Sequence, residues 1–271
     1  MEESSWHGLD EIRHFVIFGA SYCAVGYNSL EPHPTEEEPL GVKFPGAITW
    51  TEQDGKPNWV GYMVSKYLAD RPAGRRPLVF DYAVGGDAVT GVHRQIHKEF
   101  LPFAGKKPEW APWVASDTLF ITWVGINDCA FAKEDTVKPM IDRLFEEQQY
   151  LYNAGGRNFL FVDLPPLNRS PAYRNKPFET ETPPAYVLWN TYLKDGIATF
   201  SSAHPGVTAM LFSSWDTFTR VLDNPIEYGF EPEVVGKRNG PLWADHLHPT
   251  SAMHDWIARD MVAFLTSQPP K

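Results

Sequence analysis

His14-Phe15-Val16-Ile17-Phe18-Gly19-Ala20-Ser21-Tyr22 is the stretch on which the fold turns. An unbroken run of β-branched and aromatic residues, with no polar residue at alternate positions, describes a strand buried on both faces, as in parallel sheets. The run breaks at Gly19-Ala20, two small residues that let the chain turn sharply and present the Ser21 hydroxyl at the strand's end. Four similar runs follow at 78–84, 118–124, 158–164 and 207–212, each closing on Gly, Pro, Asn, Asp or Ser. Helical patterns lie between them. Ile141, Leu144, Phe145, Gln148, Leu151 and Tyr152 share one face before Gly155-Gly156 stops the helix. Near the end, Thr250 or Ser251 caps a helix whose apolar stripe is Met253, Trp256, Ile257, Met261, Phe264 and Leu265. Strand and helix in alternation predict an α/β fold, a mainly parallel sheet with helices on both faces.

The 271 residues are enough for one sizeable core, and neither a repeat nor a low-complexity linker divides them, so one domain over residues 1–271 is expected. Long loops rich in Pro, Glu and Thr at about 31–54 and 167–184 are expected to form lids or surface excursions. A net charge of −10 without a basic run argues against a nucleic-acid partner. No stretch approaches the roughly 18 consecutive apolar residues of a membrane span, so no membrane partner is expected. The start, Met1-Glu2-Glu3-Ser4-Ser5-Trp6, lacks the pattern of a signal peptide, which leaves an intracellular chain or one whose leader has been removed. Cys23 and Cys129 are expected to be free thiols, although both flank site motifs and would form a bridge if close in space.

In an open parallel sheet, ligands gather beyond the carboxyl ends of the strands. There the chain places Ser21, a candidate nucleophile or a plain helix N-cap. Next comes Gly85-Gly86-Asp87, where a Gly86 N–H can point at a substrate oxygen or merely make a turn. Gly125-Ile126-Asn127-Asp128 follows, where the Asn127 amide can stabilise an oxyanion or form an Asx turn. Before the last helix stands Asp245-His246-Leu247-His248-Pro249. Asp245 and His248, three apart on a turn, can set a carboxylate on Nδ1 and leave Nε2 to take a proton from a hydroxyl. His246, His248 and Asp245 also have metal-ligand chemistry, but no His-x-Glu, Cys-x-x-Cys or His-Glu-x-x-His pattern adds to them, so neither metal nor cofactor is expected. His246 is assigned to the surface, His254 to the helix without further role, and Asp128 to turn support.

Four motifs in this order resemble the GDSL-type serine esterases, the SGNH hydrolases, whose four letters match Ser21, Gly86, Asn127 and His248. Leu164-Pro165-Pro166-Leu167-Asn168-Arg169-Ser170-Pro171 and Asn224-Pro225-Ile226-Glu227-Tyr228-Gly229-Phe230 are similar to segments of the fungal acetylesterases of carbohydrate esterase family 16. The resemblance implies a three-layer α/β/α sandwich with a flavodoxin-like five-stranded sheet. It also implies a Ser21–His248–Asp245 triad, with an oxyanion hole from the Ser21 and Gly86 N–H groups and the Asn127 amide. The implied substrates are acetyl esters, including those of sugars and xylo-oligosaccharides. Ala20 stands where the family's name motif has Asp, so a hydrogen bond within the nucleophile loop is lost and a lower turnover is expected. A lipase or thioesterase for longer acyl chains, or a weak carbohydrate-binding relative, are the competing readings. Trp50, Trp59, Trp110 and Trp113 are candidates for sugar contact, whereas Trp123, Trp189 and Trp256 are assigned to the core.

Overall fold

The computed structural model describes residues 5–30, 32–52, 55–175, 178 and 180–271. Parts of both long loops, Glu31, Gln53 and Asp54 in the first and Lys176, Pro177 and Glu179 in the second, lie outside the described residues.

Five parallel strands, β1 (His14–Gly19), β2 (Leu78–Asp81), β3 (Thr118–Trp123), β4 (Asn158–Val162) and β5 (Thr208–Phe212), form one sheet in the order β2-β1-β3-β4-β5. Every residue of β1 and β3 is buried, so both faces of the sheet's middle are covered. The helices are α1 (Trp59–Tyr62), α2 (Val89–Arg94), α3 (Ile126–Cys129), α4 (Glu134–Asn153), α5 (Pro184–Ala203), α6 (Ser214–Asp223) and α7 (Ser251–Ser267). One layer joins α1 and α6 to α7, the other joins α2 and α5 to α4, and the result is a three-layer α/β/α sandwich. No helix among the described residues is long and apolar enough to cross a membrane.

β2 and β4 stop short of their apolar runs by three and two residues. After β2, Tyr82 and Val84 still donate N–H groups to Ile17 and Gly19 of β1 at 2.9 and 3.2 Å, but Val84 is already exposed and the chain leaves the sheet. After β4, the Asp163 carboxylate turns to accept the Trp215 N–H and the Ser213 hydroxyl, fixing the start of α6.

Ser21 does not cap a helix. The turn at 21–23 leads into an extended segment, and the first α-helix begins only at Trp59. Thr250, rather than Ser251, is the N-cap of α7, accepting the Met253 N–H at 3.4 Å. Cys23 and Cys129 are both buried and free, so no bridge joins the two site motifs. Strand order reverses direction between β1 and β3. The loops after these two strands therefore diverge and leave a crevice at their carboxyl ends.

Candidate active site

The crevice receives Ser21 from the end of β1. Its hydroxyl lies 2.9 Å from His248 Nε2, across 227 positions of sequence. His248 Nδ1 lies 2.7 Å from Asp245 Oδ2, so with the proton on Nδ1 that nitrogen donates to the carboxylate and Nε2 is left to accept from Ser21. The other oxygen, Asp245 Oδ1, accepts the backbone N–H groups of Leu247 and His248, each at 2.7 Å. Burial pushes the Asp245 carboxyl up, but the hydrogen bonds from the His248 ring and these two N–H groups outweigh it and hold the group well below the usual carboxylate range. These bonds favour the charged carboxylate, which orients the His248 ring through Nδ1.

The segment bearing Asp245 and His248 is held at both ends. Trp243 pairs with Pro249 in an antiparallel bridge, Ala244 N–H donates to His248 O at 2.9 Å, and the Thr250 hydroxyl donates to Pro241 O at 2.6 Å. On the opposite wall, Asn58 Nδ2 donates to the carbonyls of Cys23 and Ala24, both at 2.9 Å, and Ala20 O accepts the N–H groups of Cys23 and Ala24. Ala20 is buried, and the nucleophile turn is fastened without a side chain at that position.

The loops that follow β2 and β3 leave the sheet at the same end as the turn that bears Ser21. Gly86 takes φ +83°, a backbone conformation that a side chain would strain, and open space surrounds the place a Cβ would occupy. Among the described residues neither the Ser21 N–H nor the Gly86 N–H has an intramolecular acceptor. Asn127, on α3 just after β3, donates one amide hydrogen to Asp87 O at 2.9 Å, which leaves its second for another acceptor. Through this bond Asn127 holds the glycine loop in place.

Further residues complete the frame, and sequence reasoning missed their part. Gln95, buried just beyond α2, accepts the Gly19 N–H at 3.0 Å and donates to Gly19 O at 2.8 Å and Asp87 Oδ2 at 2.7 Å. One amide thus ties the end of β1 to the glycine loop. Asp128 supports more than its own turn: Oδ1 accepts the Val89 N–H at 3.0 Å at the start of α2, and burial pushes its carboxyl up to about 6. His254 was assigned no role, yet it is fully buried and meets the Tyr22 ring edge-on, while Tyr22 also packs against His248. Burial, with a smaller contribution from His248, pushes the His254 ring down to about 3. A buried histidine on one helical turn looks like any apolar helix position until its distant neighbours are known.

The tryptophan expectations divide. Trp50 is 42% exposed, its ring lies 5.1 Å from that of His248, and it fills the space where Gly85 lacks a side chain. Trp59 and Trp113 are buried in the core and are not available to a sugar. Trp110 stacks on His33 with ring centroids 3.4 Å apart and packs on Phe80 of β2, so it anchors the first long loop to the sheet. Trp123 and Trp189 are core residues, and half-buried Trp256 donates to Tyr228 O at 3.0 Å. His246 is exposed, its Nδ1 3.8 Å from Asp245 Oδ1, while both ring nitrogens of His248 already face Asp245 and Ser21.

Comparison with known proteins places the chain among esterases. An acetylesterase of Thermothelomyces thermophilus is 28% identical over 270 residues, covering 91% of this chain and 86% of its own. An acetylesterase of Hypocrea jecorina is 21% identical over 321 residues, covering 93% and 88%. The fold is that of an acetylxylan esterase from Geobacillus stearothermophilus, with a TM-score of 0.59 at 14% identity, over 96% of this chain and 98% of that one. The model of the GDSL-like lipase/acylhydrolase family matches residues 15–261, a span that runs from β1 into α7 and takes in the nucleophile turn, the glycine loop, Asn127 and the Asp245–His248 turn, and the chain belongs to that family.

Proposed function

We propose that this chain is a serine esterase that removes acetyl groups from sugars or xylo-oligosaccharides through an acyl-enzyme on Ser21. The observation behind the chemistry is the continuous relay Ser21 Oγ, His248 Nε2, His248 Nδ1, Asp245 Oδ2, with 2.9 and 2.7 Å between partners. The acetyl group is suggested by the two acetylesterase relatives, and the sugar by the acetylxylan esterase whose fold this chain shares.

In the first step His248 takes the Ser21 proton as the hydroxyl oxygen attacks the ester carbonyl. Asp245 stabilises the imidazolium that forms. The carbonyl oxygen becomes an oxyanion held by the N–H groups of Ser21 and Gly86 and the free amide hydrogen of Asn127, three donors that need not reorganise. Collapse expels the sugar hydroxyl, which receives the proton from His248. Water then gives a proton to His248 and attacks the acetyl-enzyme, and acetate leaves with Ser21 restored. Neither step calls on a metal.

Trp50 supports the sugar assignment. Its half-exposed indole stands beside His248 and above Gly85, an apolar face at the mouth of the site on which a sugar ring can lie. The test is acetate release from acetylated xylo-oligosaccharides and from an aryl acetate, by the wild type and by Ser21→Ala. Hydrolysis of both by the wild type and of neither by the variant is expected, with an unchanged far-UV spectrum. Undiminished hydrolysis by Ser21→Ala removes the serine from the chemistry. Octanoyl esters cleaved faster than acetyl esters would turn the assignment toward a lipase.

A further inference from the structure

Away from the triad, α2 packs against α4 and continues into a π-helical turn (Gln95–Phe100). This brings His93 and His97 onto one face with ring centroids 4.3 Å apart, both turned to Glu147 of α4. His93 Nδ1 lies 2.9 Å from Glu147 Oε1, and His97 Nε2 lies 2.9 Å from Glu147 Oε2. The Glu147 side chain is wholly buried, whereas those of His93 and His97 are 43% and 24% exposed. Two imidazoles thus lead from solvent to one sequestered carboxylate, and their ligand atoms all lie within 4.8 Å of one another.

The cluster is over-subscribed as a set of hydrogen bonds. Arg143, on α4, places one guanidinium nitrogen 2.9 Å from Glu147 Oε1 and 3.1 Å from His93 Nδ1. If Nδ1 is protonated it donates to Glu147 but faces an N–H of Arg143. If it is bare it accepts from Arg143 but turns a lone pair toward the carboxylate oxygen. One contact is poor in either tautomer. A cation bound by Nδ1, Nε2 and the carboxylate removes the conflict, because every lone pair then points at the same centre. Arg143 has somewhere to go, since its other guanidinium nitrogen already pairs with exposed Glu146 at 2.9 Å.

We propose that His93, His97 and Glu147 form a binding site for a first-row divalent transition metal such as zinc, with water in the remaining position. Two imidazole nitrogens and a carboxylate oxygen suit Zn²⁺, Co²⁺ or Ni²⁺ and not Mg²⁺ or Ca²⁺, which take all-oxygen shells. The site fastens α2 to α4. Gln95, which ties Gly19 to Asp87, lies between the two histidines in sequence, so an ion here braces the segment that holds the glycine loop.

The test is titration of the metal-free full-length protein with Zn²⁺ by calorimetry, and with Co²⁺ by its visible d–d absorption. The wild type is compared with His93→Ala, His97→Ala, Arg143→Gln and, as a control for the other exposed cluster, His246→Ala. One ion per chain is expected, together with a higher Tm in Zn²⁺ than in Mg²⁺. Each of the His93 and His97 variants should bind at least tenfold more weakly with an unchanged far-UV spectrum, and His246→Ala should bind as the wild type does. Arg143→Gln should bind at least as tightly, because a competing cation is gone. Absence of saturable binding, affinity that follows His246 instead, or weaker binding by Arg143→Gln would overturn the proposal. None of these readings depends on esterase activity.

Discussion

The Tyr22 hydroxyl donates to the carbonyl of Leu247 at 2.7 Å, so the residue after Ser21 is hydrogen-bonded to the residue before His248. The bond joins the turn after β1 to the turn before α7, and it helps set the spacing across which the proposed mechanism passes a proton from Ser21 to His248. Tyr22→Phe keeps the ring that packs on Trp123, His248 and His254 and deletes only this bond. A hydrogen bond of this kind contributes about 0.5–1.5 kcal/mol. The expected outcome is a kcat roughly 2- to 12-fold lower with little change in KM, measured on an aryl acetate.

Asn127 serves two acceptors, Asp87 O in the resting enzyme and the proposed oxyanion during reaction. Loss of one oxyanion donor costs on the order of 100- to 1,000-fold in kcat. Asn127→Ala should fall in that range in kcat and leave KM nearly unchanged. Substitution of an exposed loop charge such as Lys106→Ala should leave both constants near those of the wild type.

Trp50 should act on the sugar and not on the bond broken. An aromatic contact contributes about 0.5–1.5 kcal/mol. Trp50→Ala is accordingly expected to raise KM for an acetylated xylo-oligosaccharide by roughly 2- to 12-fold, and to change KM for a small aryl acetate much less. Equal effects on both substrates would show that the indole shapes the acyl side.

The buried His254 ring makes stability depend on pH in a predictable direction. Its folded-state value is about 3 against an ordinary 6.5, so between these limits the unfolded chain binds the proton first. Its contribution is fully present above about pH 6.5 and is lost as pH falls toward 3, at up to about 1.4 kcal/mol per pH unit. Asp128 and Asp163, both pushed up to about 6 by burial, act oppositely: they favour the folded state as pH falls from 6 toward their ordinary 3.8. The comparison that isolates the histidine is therefore wild type against His254→Asn. Urea midpoints measured from pH 7 to 4 should show the wild type losing stability relative to the variant as acid is added.

Legibility in the sequence followed the range of the interaction. Strand positions were legible because burial on both faces leaves runs such as 14–18 and 118–123 without a polar partner, a purely local signal. The candidate site was legible because Ser21, Asn127, Asp245 and His248 each sit in a short motif at a strand end or before the last helix. Gln95 was missed, since a glutamine midway along a helix gives no sign that its amide will meet the backbone of β1. His93 and His97 were passed over for the same reason: their third member, Glu147, lies 50 positions away on another helix. Trp59 and Trp113 were misassigned because flanking loop residues suggested exposure, whereas tertiary packing buried both. Ala20 was expected to weaken the nucleophile turn, and Asn58, from a segment with no motif, supplies the fastening instead.

The 227 positions separating Ser21 from His248 bear on how this protein comes to life during synthesis. On the proposed mechanism the nucleophile emerges from the ribosome early and the proton acceptor late, so a nascent or clipped polypeptide carries Ser21 without the imidazole that would take its proton. Ester cleavage consequently reports that all five strands have come together, and an ordinary colour assay becomes a gauge of how much of a sample has finished folding.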